Sequence, residues 1–225
     1  MPLAQWSSPE LLLEVAGLSD GNRVVLVSVV PLHRNNCPAL GDGARAEIAG
    51  KRLVVQSRGG GFRHQGEITL CEPARFEGLL PTDTAEAVRV TVADDSAMLE
   101  ATMSGLLSAR RLALDGDPAL ALRSGQTASV QVGETTDAVG TGTLSFIPAG
   151  RSTNMPAFAL TVGTGAGATA SGSTVTFTLP EGVSAGAGNL RFVGTVFPEV
   201  TVCTGFALCE GTLSVDARTS ATVQP

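Results

Sequence analysis

Ala87-Val-Arg-Val-Thr-Val-Ala93 decides the fold: Val88, Val90 and Val92 fall on one side, Arg89 and Thr91 on the other. Successive side chains of an extended chain point to opposite faces, so a period of two marks a strand with one buried face. Valine and threonine suit such a surface and are stiff in a helix. Working outward, the same alternation predicts strands at 10–16, 23–31, 45–48, 52–57, 66–71 and 97–103. In the second half Ala128/Val130/Val132, Leu144/Phe146, Phe158/Leu160/Val162, Val175/Phe177/Leu179, Leu190/Phe192, Val200/Val202 and Leu213/Val215 mark inward faces. Threonine lines the outward faces, as in Thr174-Val-Thr-Phe-Thr178.

Breakers divide these strands. Ser19-Asp-Gly-Asn22 holds the Asp-Gly pair that a tight hairpin turn needs for positive φ. The stretch 163–172 and the stretch 182–188 read as flexible glycine turns, and 104–111 as a short helical turn. Leu114-Asp-Gly-Asp-Pro118 suits a domain boundary, and composition shifts there from charged residues to Gly, Ala, Thr and Ser. The 225 residues, 43% of them hydrophobic, suffice for two cores of about 110 residues each. The expected fold is therefore all-β: two tandem antiparallel β-sandwich domains, 1–115 and 116–225. Seven or so short strands separated by turns suit an immunoglobulin-like sandwich for the second, with a jelly roll as the other option.

Composition narrows function. Net charge is -6 and the 15 basic residues are scattered, which leaves no footprint for a phosphate backbone. Tyrosine is absent and Trp6 is the only tryptophan, so no stacking platform for bases or sugars is visible. The longest apolar run, Val24 to Leu32, contains Ser28 and Pro31 and is far short of the roughly 18 residues of a membrane helix. It suits a buried strand. Nucleic acid and a membrane span are thus not expected; another protein or a surface component is.

The four cysteines fall as Cys37 with Cys71 and Cys203 with Cys209, one pair in each half. Four cysteines allow three pairings, of which locality favours these two. Such bridges belong to an oxidising compartment. Four buried free thiols are the other reading; zinc fits less well, because neither pair has C-x-x-C spacing. Met1-Pro-Leu-Ala-Gln-Trp6 lacks the basic and then apolar order of a secretory signal. Either a leader has been removed, or the protein works from Met1 inside a cell or a virus particle. The cysteines tip the expectation toward an extracytoplasmic place.

Several motifs invite chemical readings. Gly17-Leu-Ser-Asp-Gly21 matches the G-x-S-x-G nucleophile elbow, with His33 or His64 as base, but an elbow needs a helix after the serine and here a strand is expected. A hydrolase using Ser19 is the least favoured function. His33 and His64 lie near Cys37 and Cys71, where a bridge would bring them together around a transition metal; surface-loop histidines are the simpler reading. Asp94-Asp95 and Asp115-Gly-Asp117 offer hard oxygen ligands for calcium, yet their spacing is not that of an EF-hand and solvated turn aspartates explain them. No metal or cofactor is expected. Lys51 is the sole lysine, so intramolecular Lys–Asn bonds are excluded after residue 115.

The candidate binding loop is Arg58-Gly-Gly-Gly-Phe-Arg-His64. Arg58, Arg63 and His64 put positive charge on a mobile glycine tip suited to a carboxylate or phosphate, and Phe62 suits a partner contact.

The run from Ser124-Gly-Gln126 through Thr174-Val-Thr-Phe-Thr-Leu-Pro-Glu-Gly182 to Cys203 and Cys209 resembles the Ig-like modules of bacterial cell-surface proteins and lipoproteins. The resemblance covers about the last hundred residues and is one of pattern. It implies a surface or secreted module for binding or spacing, without catalysis and without site residues to carry over. A virion decoration or tail protein, its Thr-rich faces packed on neighbouring subunits, is the alternative.

Overall fold

A computed structural model describes residues 1–6, 8–17, 22–31, 37–65, 68–81, 87–106, 110–114, 121–163 and 167–225. Among them the only helical element is the 3-10 turn Leu3–Gln5, and no helix is long and apolar enough to cross a membrane. Everything else regular is strand. In chain order these are β1 (Glu10–Gly17), β2 (Asn22–Val30), β3 (Arg45–Ile48), β4 (Lys51–Arg52), β5 (Val54–Arg58), β6 (Phe62–Gln65), β7 (Ile68–Cys71), β8 (Ala74–Pro81), β9 (Ala87–Ala93) and β10 (Met98–Ser104). They continue as β11 (Leu112–Leu114), β12 (Ala121–Arg123), β13 (Thr127–Val132), β14 (Ala138–Pro148), β15 (Phe158–Val162), β16 (Ala168–Ser171), β17 (Thr174–Thr178), β18 (Gly186–Phe197), β19 (Val200–Thr204) and β20 (Leu208–Gln224).

The chain forms two compact units, but not as contiguous halves. Unit 1 is Met1–Ser108 with Pro198–Leu213, and unit 2 is Ala109–Phe197 with Ser214–Pro225. The cut expected at residue 115 lies outside the described residues. The contiguous 116–225 domain is corrected: β19 and the first six residues of β20 belong to unit 1, because β19 pairs with β10 and residues 208–213 pair in parallel with β1. Both disulfides therefore lie in unit 1.

Unit 1 is built from two five-stranded sheets and a separate ribbon. One sheet runs from residues 208–213 through β1, β2 and β8 to β5; the other has the order β19-β10-β9-β3-β4; β6 and β7 pair only with each other. Leu11, Leu13, Val25, Val27, Val29 and Phe76 on the first, and Ala46, Val88, Val90 and Ala101 on the second, are almost fully buried. At about 25 cal/mol per Å2, removing these apolar surfaces from water is the main stabilising term. The expected strand 52–57 is really two: the chain changes sheet at Leu53, which is buried between β4 and β5.

In unit 2 the order is β11-β13-β17-β16-β15-β14-β18 and then the later part of β20, with β12 parallel to 222–224. The inward set predicted for β14, β17 and β18 is buried, as are Val130 and Val132 of β13 while Ala128 is half-buried, and the rings of Phe146, Phe158 and Phe177 follow one another at centroid distances of 6.2 and 6.3 Å.

Three expectations change. A strand, β16, occupies part of the stretch read as a flexible turn at 163–172, while 164–166 lie outside the described residues. The helical turn at 104–111 falls partly outside them too; Ser104 ends β10. Val200 and Val202 do not share a face. A bulge between Thr102 and Met103 sets Val200 opposite the inward Met103 but Val202 opposite the outward Thr102, and Val202 is exposed.

Candidate functional site

The segment 58–72 is assembled by three glycines. β5 pairs with β8 as far as Arg58↔Ala74, after which Gly59 and Gly60 take φ of 75° and 92°. A Cβ on Gly59 would lie 2.9 Å from the Glu72 carbonyl, and one on Gly60 would lie 2.7 Å from Ala39 Cβ. Only glycine allows both the left-handed backbone and this close crossing. The crossing is sealed by the Leu40 amide donating to Arg58 O at 2.8 Å, the Glu72 amide donating to Gly61 O at 2.8 Å, and an Ala39↔Gly59 bridge. The mobile glycine tip is thus corrected: these glycines are the bonded base of the β6–β7 ribbon.

Phe62 opens that ribbon directly opposite Cys71, which is joined to Cys37. Phe62 is 52% exposed and Leu70 36% exposed, on opposite faces of the ribbon because Leu70 pairs with Arg63. Two exposed large apolar side chains on a ribbon anchored by a disulfide at its base suit contact with a protein.

The cationic part of the expectation is changed. Arg58 donates to the carbonyl oxygens of Gly41 and Asp42 and faces the Asp42 carboxylate at 3.6 Å. Its guanidinium holds the 41–42 turn instead of facing outward as a fork for an anion. Arg63 and His64 are placed by backbone register alone, opposite Leu70 and Thr69, and their side chains lie outside the described residues. So do Ser19 and His33. For the hydrolase reading the backbone on either side is informative: β1 ends at Gly17, β2 starts at Asn22, and they pair antiparallel with Gly17↔Arg23. A strand follows the serine, where an elbow requires a helix.

Among the described residues no three His, Cys, Asp or Glu side chains gather as a metal site. Asp115 and Asp117 lie outside them. Asp94 lines a recess of about 300 Å3 with Met1, Pro2, Gly41, Gly43, Asp95 and Ser96. Its carboxylate accepts from the Leu3 amide at 2.6 Å, the Ser96 hydroxyl at 2.6 Å, and the Ser96 and Ala97 amides at 2.8 and 3.1 Å. It therefore caps a turn and ties down the N-terminal segment. Burial pushes its pKa up, but the Ser96 hydroxyl and these amides outweigh that and hold it below the ordinary carboxylate value.

Asp216 is lowered as well, by the forked hydrogen bonds of Arg191 at 2.8 and 2.7 Å against some burial, with Arg218 adding at 3.5 Å. A carboxylate whose pKa is depressed on folding stabilises fully above its unfolded value of about 3.9, and loses that contribution as pH falls through the folded value. Stability is expected to fall on acidification below about pH 4. In urea titrations at stepped pH, Asp94→Asn with Asp216→Asn should flatten that fall; an unchanged pH slope would contradict it.

A second cleft, of about 330 Å3, lies in unit 2 against Phe146, Arg151, Pro156 and the 182–187 segment. The threonine faces of unit 2 use their hydroxyls within the sheet, Thr127 with Thr178 at 3.2 Å and Ser129 with Thr176 at 3.0 Å.

Leu70 and the β8 residue Leu79 were not singled out from sequence. The alternation within 68–71 held the signal for the first; the second sits in a strand that its own residues disguise.

No protein-family model and no curated protein matches the chain. Among solved structures it is similar to the crystal structure of Down Syndrome Cell Adhesion Molecule (DSCAM) isoform 1.30.30, N-terminal eight Ig domains, at 10% identity and a TM-score of 0.20. The match covers 92% of this chain, which spans 23% of that one.

Proposed function

We propose that this chain is a non-catalytic, extracytoplasmic binding module that holds a partner protein or surface component through the β6–β7 ribbon. The observation that carries the reading is the pairing of all four cysteines, Cys37 with Cys71 and Cys203 with Cys209. On the chain-entropy model a separation of 34 residues is worth roughly 3–4 kcal/mol and one of 6 about 2 kcal/mol. A reducing cytosol would remove both contributions. The first bridge also ties Cys71, which pairs with Phe62, to Cys37 outside the ribbon, so it anchors the element offered to the partner and lowers the ordering cost of binding. Secretion or display on a cell surface fits this, as does the resemblance to bacterial surface modules.

Protein taken from its native source, alkylated before lysis and weighed without reduction, is expected to carry no alkylated thiol and to yield the 37/71 and 203/209 linked peptides. Four alkylated thiols would overturn the location. For the ribbon, a photo-reactive phenylalanine analogue at position 62 should give a discrete adduct in the native setting, while the same label at the exposed Met155 should not. Equal labelling at both positions would remove the ribbon as the contact.

A further inference from the structure

The two sheets of unit 1 differ on their outer faces. On β3, β4, β9 and β10 the outward side chains include Arg45, Arg52 and Arg89 beside Glu47 and Glu100, and Arg89 is ion-paired with Glu100. Both signs are therefore mixed on that face. On the other sheet the registers Ala16↔Val24↔Leu79 and Glu14↔Leu26↔Glu77↔Val54 lay apolar and acidic residues side by side. Val54 and Leu79, diagonal neighbours on β5 and β8, are each 65% exposed. The next rows add Glu10 and Glu210, and Arg75 is the single cation outward on this face. Among the described residues no ion pair joins Arg75 to any of these carboxylates.

Strand β2 points to the same conclusion from sequence. Asn22-Arg-Val-Val-Leu-Val-Ser-Val-Val30 is apolar on both faces, which is the pattern of a strand covered on both sides. An exposed apolar stripe next to charges of one sign marks an interaction surface.

We propose that this outer face, residues 208–213 with β1, β2, β8 and β5, docks a different protein that presents apolar side chains alternating with lysine or arginine. Charge complementarity selects that occupant. A second copy docked on the same face by a two-fold axis would set four carboxylates against four, with one guanidinium from each to offset them. Nucleic acid and anionic lipid would meet the same carboxylates. The surface is separate from the ribbon, and it rests on the reading of the chain as a binding module only in that both involve a protein partner.

The full-length protein would be titrated with a short dye-labelled peptide alternating leucine with lysine. Controls are a leucine–glutamate peptide and a leucine–lysine peptide of equal composition without the alternation. Binding is expected for the alternating cationic peptide alone, weakened by salt, with amide shifts confined to β1, β2, β5 and β8. Val54→Ser with Leu79→Ser, both at exposed positions, should weaken it about tenfold. Glu14→Lys with Glu77→Lys should transfer binding to the leucine–glutamate peptide, whereas Met155→Ala, at an exposed position of unit 2, should leave all of this unchanged. Equal binding of the cationic peptides, shifts located elsewhere, or no effect of the Val54 and Leu79 changes would overturn the proposal. So would a dimer in light scattering that Leu79→Ser dissociates, since the face would then belong to a second copy. The thiol state of the native protein is read separately, so failure here and failure of the location are distinguishable.

Discussion

Asp137→Ala is expected to cost about 3–5 kcal/mol, because it removes one side of a buried ion pair and leaves the other side in place. The side chains of Arg110 and Asp137 are each 1% exposed. Arg110 donates from Nη2 to Asp137 Oδ1 at 3.0 Å, and its Nε lies 2.6 Å from Oδ2 as an ion pair. The same carboxylate accepts the Glu134 amide at 2.9 Å and so shapes the turn between β13 and β14. Gly133, with φ of 79°, is there because a Cβ would run into that carboxylate and into Arg110 Cδ. Truncation thus loses an ion pair with its charge-assisted hydrogen bond and a turn acceptor, and it does so where water cannot readily replace them. For a unit of about 100 residues the expected loss corresponds to a fall in Tm of roughly 15–30 °C. Two further variants separate the causes. Asp137→Asn keeps an acceptor for the Glu134 amide and should cost less than alanine. Arg110→Leu with Asp137→Leu removes both charges and should cost less than Asp137→Ala, since well-packed apolar pairs often replace buried ion pairs without loss. A calorimetric drop below about 1 kcal/mol for Asp137→Ala would show that the pair contributes little.

Period-two patterning made β9 readable because Val88, Val90 and Val92 alternate with Arg89 and Thr91. β8 escaped for the opposite reason. Its inward residues are Ala74, Phe76, Gly78 and Leu80, and the glycine leaves a gap that Leu53 fills from the link between β4 and β5, with its Cδ2 only 2.5 Å from where a Cβ on Gly78 would be. On the outward side Leu79 adjoins Leu80, so the alternation is blurred at the place where the exposed stripe lies. Nothing local announces that 208–213 will leave the second half to pair with β1, because parallel pairing of residues some two hundred apart has no turn to encode it. The cysteine pairing was legible through spacing, but not its assignment to a single unit, which follows from that same long-range return. At the site, Phe62 was legible as an aromatic after glycines. The engagement of Arg58 was not, since its acceptors are main-chain oxygens of Gly41 and Asp42 on a separate loop.

Gly194→Ala is expected to cost about 3 kcal/mol, the upper part of the range for overpacked sites, and for a reason that side-chain repacking cannot remove. Gly142 and Gly194 stand directly opposite one another where β14 pairs with β18, just past a bulge between Val139 and Gly142. A Cβ on Gly194 would lie 2.5 Å from the Thr141 carbonyl oxygen, 2.7 Å from Gly142 Cα and 2.7 Å from Phe192 Cζ. One on Gly142 would lie 2.7 Å from the same ring and 2.8 Å from the Val193 carbonyl. The fully buried Phe192 ring therefore lies over both glycines and covers the backbone that they leave bare, the arrangement in which an aromatic compensates for glycine in a sheet. The ring can turn aside; the two backbones cannot separate without loss of ladder hydrogen bonds. Gly41→Ala, whose new Cβ would meet nothing nearer than 4.0 Å, serves as the control and should shift stability by no more than about 1 kcal/mol. In urea unfolding, Gly194→Ala should cost less in a Phe192→Leu background than in the parent, by the share of the ring contact, and keep the rest of its cost. No cost in that background would place the whole conflict in the ring, and the close approach of β14 and β18 would then not be what requires glycine at position 194.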